Sequence, residues 1–101
     1  MKIGLGSDHA GFELKEDIKA YLQAELAEHE IVDFGTYDTA STNYAEYGAK
    51  VGYAVAAGQV DRGIIICGTG IGIAMTAGRI GKVRVALCHD AYTAQMSRLH
   101  N

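Results

Sequence analysis

The sequence predicts an α/β fold: a parallel sheet of about four strands flanked by helices on both faces, in a three-layer α/β/α arrangement. Three observations carry that expectation. Short apolar runs alternate with segments of helical periodicity along the whole chain, the pattern of parallel strands joined by crossover helices. One run, Gly63–Cys67 (GIIIC), is continuous in β-branched residues, as a strand buried on both faces would be. Of the 13 glycines, six concentrate at Gly4, Gly6 and Gly11 and at Gly68, Gly70 and Gly72, where they mark particular turns, and proline is absent.

Each element follows in order. Lys2–Ser7 (KIGLGS) reads as a first strand, followed by Asp8-His9-Ala10-Gly11. From Phe12 onward, Leu14, Ile18, Tyr21, Leu22 and Leu26 recur at helical spacing, with Glu13, Lys15, Glu16, Asp17 and Lys19 between them as the solvated face. Glu30–Phe34 reads as a short second strand stopped by Gly35. A polar loop, Thr36 to Asn43, leads to a helix from about Tyr44 to Gly58 that buries Tyr47, Val51, Ala54 and Val55. After Gly63–Cys67, the run Gly68-Thr69-Gly70-Ile71-Gly72 turns into a helix reaching about Ile80. Val83–Cys88 (VRVALC) reads as a fourth buried strand, which would make Cys88 structural. Asp90 then caps a last helix, Ala91 to about Leu99.

Composition narrows the function. At 101 residues the chain is one domain, 1–101, able to bury roughly 65% of its unfolded surface. Apolar residues at 49% and charged residues at 21% describe an ordinary globular protein. No stretch approaches the ~20 apolar residues of a membrane span. Asp8 and His9 stand where a signal peptide would keep its apolar region, so a cytoplasmic location and no membrane partner are expected. A formal charge of −3 argues against a nucleic-acid surface. The charge is uneven, however: residues 1–50 carry four basic and ten acidic side chains, and residues 51–101 five and two. An anionic ligand would find the friendlier field near the second half. Two cysteines without metal-ligand spacing give neither a disulfide framework nor a metal site.

In folds of this kind ligands bind beyond the carboxyl ends of the strands. That rule selects Asp8 and His9, then Cys67 to Gly72, then His89 and Asp90. The glycine loop does not fit the dinucleotide fingerprint, because Ile73 stands where the third glycine belongs, and no Gly-Lys-Ser/Thr run is present. What remains is bare backbone that can point N–H groups at an anion, backed by a helix start. Cys67 lies at the mouth of that loop, where such dipoles favour a thiolate; a buried core cysteine is the alternative. A cysteine-dependent phosphatase would need an arginine where Ile73 stands. Asp8-His9 could hold a substrate hydroxyl or move a proton, or could be a helix cap beside a surface histidine. His100, at the end of the last helix, could equally serve the helix terminus as a cation.

Five segments together, Gly6-Ser7-Asp8-His9-Ala10-Gly11, Tyr44-Ala45-Glu46-Tyr47, Ile66-Cys67-Gly68-Thr69-Gly70-Ile71-Gly72, Ala86-Leu87-Cys88-His89-Asp90 and Met96-Ser97-Arg98-Leu99-His100-Asn101, resemble the type B ribose-5-phosphate isomerases. That family also contains the galactose-6-phosphate isomerase subunits. The resemblance runs through the whole chain in order and implies a Rossmann-like fold. It implies an aldose–ketose isomerase interconverting ribose 5-phosphate and ribulose 5-phosphate through a cis-enediolate. Cys67 would be the base, Gly68, Thr69, Gly70, Ile71 and Gly72 the anion hole, and His100 the group that helps open the ring. Asp8, His9, Tyr44 and Asn101 would contact the phosphorylated sugar. No cofactor or metal is implied, and a homodimer or higher homo-oligomer is.

Two departures accompany the resemblance. Ala45 stands where the family usually has proline, and the chain stops at Asn101, inside the family's His-Asn motif. Family members continue into a further strand, a helix and phosphate-gripping arginines, and that strand lies between the third and fourth. The chain is therefore expected to be C-terminally short. Alternatives are a hexose-phosphate isomerase of the galactose 6-phosphate type, or a catalytically impaired or non-catalytic assembly module of the same fold. Arg62, Arg79, Arg84 and Arg98 are the arginines available to hold phosphate.

Overall fold

A computed structural model describes residues 1–101. Its elements are β1 (Lys2–Ser7), α1 (Phe12–Glu25), β2 (Glu30–Asp33), α2 (Tyr44–Ala56), β3 (Arg62–Ile66), α3 (Ile71–Gly78) and α4 (Ala91–Leu99). The strands form a parallel sheet in the order β2-β1-β3, with Leu5 opposite Asp33 on one side and Ile64 on the other. Helices cover both faces, as expected: α1 lies on one, and α2 on the other with α3 packed against it.

Side-chain parity decides what each helix meets. Ile3 and Leu5 of β1 point towards α1 and form the core with Leu22, flanked by Ile18, Leu26, Ile31 and Ile64. The intervening Gly4 and Gly6 face the other side of the sheet, Gly4 against Phe34 and Val60 and Gly6 against α2. A methyl group on Gly6 would sit 2.6 Å from Val51, so the missing side chain is what lets α2 lie close to the sheet. The same device recurs between helices, where Gly48 and Gly52 of α2 admit Ile73 and Ile80.

Three expectations need correction. The sheet has three strands, and Val83–Cys88 forms no ladder. A β-branched run becomes a strand only beside a neighbour about 4.8 Å away, and this segment does not pair with β3. Cys88 is accordingly exposed, its thiol donating weakly to Ala86 O at 3.6 Å, and is not a core residue. Second, β3 is an edge strand: α1 and α2 pack on its two faces, but its open hydrogen-bonding edge leaves Ile64 and Ile65 half-buried and only Ile66 buried. Third, the stripe of α1 holds at Ile18, Leu22 and Leu26 but not at its other two members: Leu14 is 53% exposed and Tyr21 60%, whereas Lys15 is completely buried. The carboxylates that receive the Lys15 ammonium explain the exchange, and they cannot be seen in helical periodicity.

At the far end, α4 has the expected cap. Asp90 accepts from the Thr93 N–H at 2.7 Å, and Thr93 Oγ1 accepts in return from the Asp90 N–H at 3.3 Å. The Thr93 N–H and the Thr93 hydroxyl, which both donate to Asp90 Oδ1, hold that carboxyl below the usual carboxylate range. The helix packs against no other element. No helix is long and apolar enough to cross a membrane.

Candidate active site

The site grows from the adjacent carboxyl ends of β1 and β3. Ser7 pairs with Ile66, and the next amide, Asp8 N–H, donates to Ile66 O at 3.2 Å. Asp8 is buried and its Oδ1 accepts from Gly11 N–H at 3.0 Å, closing the turn into α1. Gly11 has no room for a side chain, since a Cβ there would lie 2.6 Å from Ile66 O. The Asp8–Gly11 turn is thus seated on the residue that precedes Cys67.

Beyond β3 the glycine loop folds back on the thiol. Gly70 takes a left-handed conformation at φ +78°, which glycine adopts without strain, and its N–H donates to Cys67 Sγ at 3.2 Å. Thr69 Oγ1 accepts from Ile71 N–H, the first amide of α3, at 3.1 Å, while Gly70 stands at the N-cap. The amides of Gly68, Thr69 and Gly72 donate to no protein atom. An anion placed there would meet N–H groups already fixed in direction. Cys67 itself is half-buried at the surface of this loop.

Neighbouring segments complete the wall. The Tyr44 ring, at the first position of α2, covers Gly72 so closely that a Cβ there would be 2.7 Å from it. Ala10 touches the position of Gly68 at 3.6 Å, which brings His9 to the same rim. His9 is tied to the β2–α2 loop: its N–H donates to Thr42 Oγ1 at 3.0 Å, and Thr42 N–H donates to His9 Nδ1 at 3.1 Å. Leu87 approaches Gly70 from the segment after α3.

The structure therefore brings together Asp8, His9, Tyr44 and the run from Cys67 to Gly72. His100 and Asn101 are exposed at the end of α4, which packs against no other element. His100 bonds through its backbone to Met96, and the Asn101 carbonyl accepts from Arg84. No group of three or more His, Cys, Asp or Glu side chains is arranged to hold a metal ion.

Two supporting features were not legible in the sequence. Thr42 stood in an unremarkable polar loop, and Lys15 in a run of alternating charges. Lys15 Nζ reaches Asp33 Oδ2 at 2.7 Å and Glu16 Oε2 at 2.8 Å, and Lys19 joins Asp33 at 3.1 Å. Burial by itself would lower the Lys15 pKa; the bonds to Asp33 and Glu16 outweigh it and raise it. Burial would likewise raise Asp33, but Lys15, the Gly35 N–H and Lys19 together hold it below its ordinary value. This cluster pins α1 to the end of β2, where the loop carrying Thr42 begins.

Comparison with known proteins shows the family. The Ribose/Galactose Isomerase family matches residues 3–101. Ribose-5-phosphate isomerase B of Escherichia coli is 45% identical over 100 residues, covering 99% of this chain and 66% of that protein. Galactose-6-phosphate isomerase subunit LacB of Clostridium acetobutylicum is 38% identical over 98 residues, covering 97% of this chain and 56% of that protein. Among solved structures, ribose-5-phosphate isomerase B of Clostridium thermocellum superposes with a TM-score of 0.95 at 47% identity, over 99% of this chain and 66% of that one. The chain thus spans about two thirds of the length of the ribose-5-phosphate relatives it matches. With nearly every residue inside the match and the glycine loop built as described, the chain belongs to the ribose/galactose isomerase family.

Proposed function

We propose that the chain is a cytoplasmic sugar-phosphate isomerase acting on ribose 5-phosphate and ribulose 5-phosphate, with Cys67 as the base. The supporting observation is the Gly70 N–H directed at Cys67 Sγ beside three amides with no protein acceptor. Aldose–ketose isomerisation needs a base for a carbon-bound proton and fixed donors for an oxygen that becomes negative. Sγ takes the proton from C2 of the open-chain aldose, and the C–H electron pair forms the C1–C2 double bond as the C1 carbonyl oxygen becomes an oxyanion. The amides of Gly68, Thr69 and Gly72 receive that charge. The hydroxyl proton then moves from O2 to O1, and Sγ returns its proton to C1, giving the ketose. Losing one donor of this kind typically costs ~3–4 kcal/mol of transition-state stabilisation. Asp8, His9 and Tyr44 would hold the sugar. His100 would open the ring and Asn101 would contact the substrate, once α4 is brought to the loop. The open β3 edge and the exposed Ile71, Met75 and Leu87 support a homodimer.

The test is conversion of ribose 5-phosphate by the chain and by Cys67→Ala. Turnover in the chain that disappears in the variant is expected, and turnover unchanged by the substitution would remove Cys67 from the mechanism. A thiol-specific check accompanies it: Cys67 should alkylate faster than Cys88 at neutral pH although Cys88 is the more exposed. Two other readings have their own support. Similarity to LacB favours a hexose 6-phosphate substrate, decided by comparing kcat/KM for the pentose and hexose phosphates. The unpacked α4 favours a non-catalytic assembly module, which would show no turnover and no phosphosugar-induced rise in Tm.

A further inference from the structure

We propose that Thr42 is a positioning residue that holds His9 in a single tautomer, as a hydrogen-bond donor and not a base. The geometry is a reciprocal pair. His9 N–H donates to Thr42 Oγ1 at 3.0 Å, while Thr42 N–H donates to His9 Nδ1 at 3.1 Å. A backbone N–H can only donate, so the nitrogen that receives it carries no hydrogen. The hydrogen of the neutral ring must therefore sit on Nε2, at the opposite edge of the imidazole. With Nδ1 occupied and Nε2 protonated, the neutral ring has no lone pair left for a substrate proton. It offers one N–H, suited to a phosphate or hydroxyl oxygen of the ligand.

The anchoring segment strengthens the assignment. Asn43, directly after Thr42, caps α2 by accepting from Ala45 N–H at 2.9 Å, and Tyr44 follows with its ring on Gly72. One short stretch thus fixes both the orientation of His9 and the aromatic wall over the glycine loop. On this view the part of the β2–α2 loop that matters to the ligand is the hydroxyl and amide of Thr42.

The proposal takes the identity of its ligand from the isomerase reading above, but the tautomer itself does not depend on it. Long-range proton–nitrogen NMR correlations of the His9 ring, recorded where the imidazole is neutral, should show the hydrogen on Nε2. An Nδ1–H ring, or an even mixture of tautomers, overturns the proposal without any variant being made. Thr42→Val keeps the amide and removes the hydroxyl that holds His9 in register. Without the Oγ1 bond to the His9 N–H the Thr42 amide is no longer held opposite Nδ1, so the variant should yield a mixed tautomer and a KM for ribose 5-phosphate raised about tenfold, with kcat within about twofold of the parent. Thr42→Ser should restore both. A Thr42→Val ring unchanged in its spectrum, with unchanged KM, refutes the positioning role. If the parent chain shows no turnover, the isomerase reading fails on its own, and the spectra of the three proteins still decide the role of Thr42.

Discussion

Replacing Asp33 by Asn tests whether the buried lysine is held by its charge partner. Asparagine keeps the size of the side chain and an oxygen able to accept from Gly35 N–H, which Asp33 Oδ1 does at 2.9 Å. It removes the negative charge that two ammonium groups share, Lys15 at 2.7 Å and Lys19 at 3.1 Å. Lys15 is fully buried and Asp33 is 11% exposed at the side chain, so water cannot replace the lost partner in place. Breaking a buried pair from one side costs about 3–5 kcal/mol. Glu16 remains on Lys15 at 2.8 Å but is 43% exposed, which puts the expected loss near the lower end, about 3 kcal/mol. For a domain of this size that is a fall in Tm of roughly 12–24 °C. Lys15→Met retains an apolar stem of similar length and removes the charge, leaving a thioether beside the Phe12 and Tyr37 rings that the ammonium now faces. The double variant should therefore recover much of the loss, and thermal melts of the four proteins form the cycle. A loss below about 1 kcal/mol, the scale of an exposed pair, would refute the reasoning. So would a double variant as unstable as the two single losses added together.

Other outcomes follow from the same structure. The Asp33 pKa is depressed in the fold, so its contribution is complete above the ordinary carboxylate value of 3.8 and is lost as pH falls through the folded value. The Lys15 pKa is raised, so its share is complete below 10.5 and is lost as pH rises through the folded value; urea melts across pH should show both edges. Gly11→Ala puts a methyl 2.6 Å from the Ile66 carbonyl oxygen, a backbone atom that cannot step aside, and should cost about 1–3 kcal/mol in denaturant melts. Gly72→Ala meets only the movable Tyr44 ring and gains helix propensity, worth up to about 1 kcal/mol, so Tm should hold while ribose 5-phosphate turnover drops. Ser7 Oγ is buried without a hydrogen-bond partner, and Ser7→Ala should leave stability equal or raise it by up to about 1 kcal/mol; a clear loss on melting would contradict this.

Local chemistry alone determined much of the protein. The spans of β1 and α4, the Asp90 cap, the stop at Gly58 and the cysteine-glycine loop all depend on residues near one another in sequence, where alternation, caps and glycine conformation act. Convergence of Asp8, His9 and the Cys67–Gly72 run also followed, because parallel strands place their carboxyl ends on one edge. Tertiary structure decided what depends on distant partners. Val83–Cys88 has the composition of a strand, but pairing requires an adjacent backbone that local preference cannot supply. Lys15 looked solvated because helical periodicity ignores a carboxylate eighteen positions away, and Leu14, which the periodicity places inside, is exposed. Thr42 and His9 stand 33 positions apart and meet only once the β2–α2 loop has closed over the first turn. Hydrogen bonds and ion pairs made across such separations belong to the assembled fold, and they fix the tautomer and the walls of the site.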